Sequence, residues 1–131
     1  MNRSVVIIDD NMEILELLTE YLFLQYFDVV ACGTDGLQAV NLYAEHTPDF
    51  VIMDVAMPGY DGIYGLENIK KLNPNATIIM HTGNTDELIN KKMIQLNATE
   101  ILRKPCPVEK LVSVMKSIKN SAYNEPVSIL A

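Results

Sequence analysis

No apolar run in the sequence approaches the roughly 18 residues needed to cross a bilayer. No charged, apolar and small-residue sequence typical of a signal peptide precedes the first strand-like segment. Cysteine is scarce: Cys32 and Cys106 are the only two, far apart, which fits neither a disulfide framework nor a metal knuckle. Both are expected in or near the core. Positive charge is also short. Ten Lys and Arg face 17 Asp and Glu, for a formal net charge of -7, so the sequence-independent attraction to phosphate backbones is missing. Internal repeats and low-complexity linkers are lacking too. These absences point to a cytoplasmic protein that binds neither membranes nor nucleic acid. With 131 residues, 49% hydrophobic and 21% charged, the chain suffices for one domain with a sizeable core.

What is present is organised around residues 49–62. Phe50-Val51-Ile52-Met53 runs straight into Asp54, and a turn follows at Met57-Pro58-Gly59-Tyr60-Asp61. A continuous apolar run bounded by turn residues suits a strand buried on both faces. Before it, Ser4–Ile8 is a β-branched run ending at Asp9-Asp10. Ile14, Leu15, Leu18, Tyr21 and Leu22 then recur at helical spacing, with Asp10 or Asn11 as cap. A second strand is expected at Asp28–Cys32 and a second helix through Leu37, Val40, Tyr43 and Ala44. A third helix carries Ile63, Leu66 and Ile69. A fourth strand spans Thr77–His81, a fourth helix Asp86–Leu96, with Asn97 in the left-handed position that ends it, and a fifth strand Thr99–Leu102. Pro107 suits a first helical position, and Val108, Leu111, Val112, Met115 and Ile118 make an apolar stripe. Five strands alternating with five helices imply a parallel sheet covered on both faces.

The polar residues fall at strand ends. Asp9 and Asp10 follow the first strand, Asp54 the third, Thr82 the fourth and Lys104 the fifth. Parallel strands bring all these ends to one edge. Close carboxylates repel one another unless neutralised, and hard oxygen ligands of this kind suit Mg²⁺. A cation, a lysine, a hydroxyl and a carboxylate nucleophile together serve phosphoryl transfer, with Asp54 the reactive group. Each residue alone has a plainer explanation: Asp9-Asp10 as a helix cap, Thr82 as a turn residue, Lys104 as a solvated lysine. His81 is expected to pack rather than catalyse. Met12, Met53, Met57, Met80 and Met93 are expected in or near the core.

Taken in order, Val6-Ile7-Ile8-Asp9-Asp10, Asp54-Val55-Ala56-Met57-Pro58-Gly59-Tyr60-Asp61-Gly62, Thr82-Gly83 and Lys104-Pro105 resemble the receiver domain of two-component response regulators. The resemblance spans residues 4–120. It implies a flavodoxin-like, doubly wound, five-stranded sheet in the order 2-1-3-4-5. It implies that Asp54 accepts a phosphoryl group from a sensor histidine kinase or phosphotransfer protein. Asp9, Asp10, Asp54 and the backbone carbonyl of Ala56 would hold Mg²⁺. Thr82 would hydrogen-bond the phosphoryl group and follow it on activation, and Lys104 would pair with it, its bond to Pro105 being cis. The domain would occupy 1–120, with 121–131 as a tail too short for a DNA-binding output domain. The protein would then be a signalling switch rather than an enzyme, acting through a downstream protein or onward phosphotransfer.

Three positions depart from the family pattern. Ile101 stands where Tyr or Phe usually precedes the lysine by three, so no ring can follow Thr82, and a patch of Ile101 with the fourth helix is expected to carry the output. Tyr26 replaces the usual glycine before the second strand, so that loop is expected to differ. Ala56 and Asn84 flank the phosphoryl site, the small alanine leaving water's path open. A phosphatase would need an acid at position 56, a flavin binder a glycine-rich loop after the first strand, and a degenerate scaffold would have lost part of the acidic set.

Overall fold

Val5, Val6 and Ile7 are fully buried, and Ile8 nearly so, because their strand lies in the middle of a sheet with helices on both sides. The computed structural model describes residues 2–118, so the tail at 121–131 lies outside the described residues. The strands are β1 (Arg3–Ile8), β2 (Phe27–Gly33), β3 (Phe50–Met53), β4 (Ile78–Thr82) and β5 (Glu100–Arg103). All pair in parallel, in the order β2-β1-β3-β4-β5. The helices are α1 (Met12–Leu24), α2 (Gly36–His46), α3 (Gly62–Leu72), α4 (Glu87–Gln95) and α5, described over 108–118.

Strand alternation splits the core into two layers. Leu15, Leu18 and Leu22 of α1 and Leu111, Val112 and Met115 of α5 pack on Val5, Ile7, Ile52 and Ile79. On the other face Ala39 and Tyr43 of α2, Leu66 and Ile69 of α3 and Met93 of α4 cover Val6, Ile8, Val51, Met53 and Met80. The strands therefore read as unbroken apolar runs, since each face has its own helical cover.

Local chemistry sets the element ends. Asn11, not Asp10, caps α1: its side chain accepts from the amides of Glu13 and Ile14. Asp61 caps α3 through the Tyr64 amide at 2.9 Å, and Gly62 is required there, because a Cβ would sit 1.9 Å from the Asp54 carbonyl oxygen. Pro107 stands just outside α5, where its carbonyl accepts from Lys110 and Leu111. β4 begins and ends one residue later than its apolar pattern suggests, which makes Thr82 part of the strand.

Three expectations are corrected. Met12 is 62% exposed, on the solvent side of the first turn of α1. Cys32 is exposed too: it lies on the α1 side of the edge strand β2, its Sγ 3.7 Å from Thr19 Oγ1, where the helix covers the sheet only in part, whereas Cys106 is half-buried. The loop before β2 keeps the backbone path that a glycine would take: Tyr26 lies at φ 68°, its amide donating to the Phe23 carbonyl at 3.1 Å. Its side chain is largely exposed, so nothing clashes beyond its own backbone.

Candidate functional site

Asp9, Asp54, Thr82 and Lys104 meet because β1, β3, β4 and β5 end at the same edge. Continuations of the ladder fix the first residues beyond the strands. The Asp9 amide donates to Gly33 O at 3.0 Å, that of Asp54 to Ile8 O at 2.9 Å and that of Lys104 to Thr82 O at 2.9 Å. Carboxylate oxygens of Asp9, Asp10 and Asp54 lie within 4.8 Å of one another. Asp9 and Asp54 are buried, while Asp10 is exposed. Lys104 Nζ sits 2.8 Å from Asp9 Oδ2 and 3.6 Å from Asp54 Oδ2. Asp9 Oδ1 accepts from the Asn11 amide at 2.9 Å, and Asp54 Oδ1 from the Val55 amide at 2.8 Å.

Electrostatics follow from this crowding. Burial pushes the Asp54 carboxyl above its ordinary range, with the Lys104 cation pulling it back, Asp9 adding to the rise and the Val55 amide opposing it. His81, on β4, is buried, and its imidazole is pushed down by burial first, then by Lys104, against a smaller opposite pull from Asp9. Its Nδ1 has no hydrogen-bond partner among the described residues. A packed ring is what the sequence leads one to expect of it.

The donor set fits Mg²⁺. It consists of hard oxygens alone, and the exposed carboxylate of Asp10 leaves the cluster open to water on one side. Beside it a cleft of about 470 Å³ opens between the β3–α3 and β4–α4 loops, lined by Val55, Ala56, Met57, Pro58, Asn84 and Ile89 among others. Ala56 and Asn84 thus both line the cleft. Thr82 is fully buried, and its Oγ1 accepts from the Asn84 amide at 2.9 Å. The Lys104–Pro105 bond is cis.

Ile101 is half-buried on β5 and packs against the layer formed by α2, α3 and α4. Arg103 belongs to no motif, yet alternation along β5 puts it on the same face as Ile101. It donates to the Asn84 carbonyl and, at 2.6 Å, to Asn90 Oδ1.

A doubly wound sheet in this order, with three acids, a hydroxyl and a lysine on its carboxyl edge, defines the class: α/β domains of two-component signalling. The profile of the response regulator receiver domain matches residues 5–116, and the chain belongs to that family. Among curated relatives, the chemotaxis protein CheY of Bacillus subtilis (strain 168) is 32% identical over 120 residues, covering 92% of this chain and all of that one. A solved complex of CheX, CheY, BeF3 and Mg²⁺ from Borrelia burgdorferi contains a chain 30% identical to this one, with a TM-score of 0.83 and 88% of each chain covered. A CheY-like receiver domain from Methanospirillum hungatei JF-1 has a TM-score of 0.90, over 95% of this chain and 99% of that one. At 20% identity it attests the fold alone.

Proposed function

We propose that this protein is a phosphoacceptor switch, with Asp54 taking a phosphoryl group from the phosphohistidine of a kinase or phosphotransfer protein. The observation that carries this is the convergence of Asp9, Asp10 and Asp54 within 4.8 Å, with Lys104 against two of them. An Asp54 oxygen attacks phosphorus in line, forming the O–P bond as the N–P bond to the donor imidazole breaks. The imidazole leaves with the electron pair. Asp9, Asp10, Asp54 and the Ala56 carbonyl would hold Mg²⁺, which when bound neutralises charge on the phosphoryl oxygens. Lys104 offers a second positive charge to those oxygens, exchanging part of its pairing with Asp9. Thr82 turns its hydroxyl toward the new anion.

The donor needs a surface next to that edge. An apolar cleft of about 410 Å³ adjoins Lys104, lined by Ile14, Leu17, Leu18, Pro105, Val108 and Leu111 among others. Leu17 is exposed at its rim. An amphipathic helix that carries a histidine can bury its apolar face there while the imidazole reaches Asp54. The downstream partner is another protein, met through α4 and β5, or a second histidine that receives the group. Hydrolysis returns the switch to its resting state, with Ala56 leaving the water's path open. The setting of this exchange is the cytoplasm. No helix among the described residues is long and apolar enough to cross a membrane.

Incubation with acetyl phosphate and Mg²⁺, read by intact mass, tests this. One phosphoryl adduct is expected on the wild type and none on Asp54→Asn. A wild type that gains no adduct, or an Asp54→Asn variant that still gains one, sinks the proposal.

A further inference from the structure

The family's usual means of carrying a change at Thr82 to the surface is an aromatic side chain, and Ile101 occupies its place. We propose that Arg103 is the relay instead: a positioning residue that ties the β4–α4 loop to α4, so that withdrawal of Thr82 toward a phosphorylated Asp54 moves the exposed face of α4. This rests on the reading of Asp54 as phosphoacceptor.

The geometry forms one continuous chain of polar contacts. Thr82 Oγ1 accepts from the Asn84 amide at 2.9 Å. The Asn84 carbonyl accepts from Arg103 Nη1, and Arg103 Nη2 donates to Asn90 Oδ1, in the middle of α4, at 2.6 Å. The Asn84 side chain adds a second strut, its Oδ1 accepting at 2.8 Å from the amide of Asp86, which caps α4 through Leu88 and Ile89. Thr82 and Arg103 are register partners on adjacent strands, so the arginine that links the loop to α4 is anchored directly beside the threonine.

Each link responds to the one before. Thr82 is fully buried and β-branched, with few χ1 positions available. Turning Oγ1 toward an anion on Asp54 takes it away from the part-buried Asn84 amide, which releases the β4–α4 loop from its tie to β4 and lets the Asn84 carbonyl shift with it. The guanidinium is a rigid planar fork, so displacing the carbonyl on one nitrogen changes what the other can hold. The receiving element is loosely held: Met93 alone is buried on α4, while Leu88 and Ile94 are exposed. A shift there re-aims two large apolar side chains, which suits recognition by a partner protein.

The test uses the full chain with beryllofluoride and Mg²⁺ as a stable phosphoryl mimic, read by backbone amide shifts in NMR, alongside the acetyl phosphate mass assay. In the wild type, amides of 82–84 and of α4 are expected to move. In Arg103→Ala the adduct on Asp54 and the response of 82–84 persist, while shifts in α4 fall by half or more. Arg103→Lys, a point donor without the fork, gives an intermediate response. Asn90→Ala cuts only the α4 arm and is expected to behave like Arg103→Ala in α4 without touching the loop. Full α4 shifts in both Arg103→Ala and Asn90→Ala overturn the relay, as does a wild type whose α4 stays still although Asp54 is modified. A wild type that takes no adduct overturns the phosphoacceptor reading itself, and the relay with it.

Discussion

At the scale of single residues, Asp54 carries a cost in the metal-free protein. Burial raises its pKa above the unfolded value, so the folded state binds the proton more tightly. Its contribution to stability is therefore complete below the ordinary carboxylate range and is lost as pH rises through the folded pKa. Asp54→Asn is expected to raise the thermal midpoint at pH 7 without Mg²⁺, with the gap narrowing as pH falls through the ordinary carboxylate range. Equal midpoints at pH 7 would contradict the burial argument. Lys104 has the opposite role. Its ammonium, 2.8 Å from a buried Asp9, compensates two acids. Lys104→Met should cost about 3 kcal/mol in metal-free urea titrations, because it leaves buried carboxylates without a counter-charge. Added Mg²⁺ should recover part of that loss, and a variant as stable as wild type without metal would show the pairing to be worth little.

At the scale of elements, the informative pieces are the ones whose chemistry and backbone disagree. The turn before β2 holds Tyr26 at φ 68°, a conformation that costs a residue with a Cβ about 1 kcal/mol. The turn is dictated by the end of α1 and the start of β2, both anchored in the core, so the local penalty is overruled. Tyr26→Gly is expected to stabilise the protein by about 1 kcal/mol by equilibrium urea unfolding. The side chain is exposed, so no packing is lost to offset it. A destabilised glycine variant would mean that the tyrosine makes contacts worth more than its strain. α4 is the converse case: its pattern was legible, yet its attachment through Asn84, Asn90 and Arg103 depends on neighbours that no periodicity announces.

At the scale of the whole molecule, folding assembles the acidic cluster, so a cation that binds it stabilises the fold by mass action. Mg²⁺ at about a hundred times its Kd is expected to add about 2.7 kcal/mol. Asp10→Asn should remove most of this with little effect on the metal-free protein, since Asp10 is exposed. A full Mg²⁺ response in that variant would place the ion elsewhere.

The sequence by itself determined the architecture and the chemical set. Unbroken apolar runs at β1, β3 and β4 announce strands covered on both faces, stripes at three and four announce the helices, and Asp9, Asp10, Asp54, Thr82 and Lys104 mark one edge, because period and strand direction are local properties. Strand order and cis geometry came from the resemblance, since periodicity holds no information on which strands pair. Only the tertiary structure decided that Asn11 rather than Asp10 caps α1, that Cys32 and Met12 face solvent, that Tyr26 accepts a left-handed backbone, and that Arg103 reaches both a loop and a helix. These depend on distances between segments far apart in the chain, where burial and competing contacts, not local preference, set the outcome.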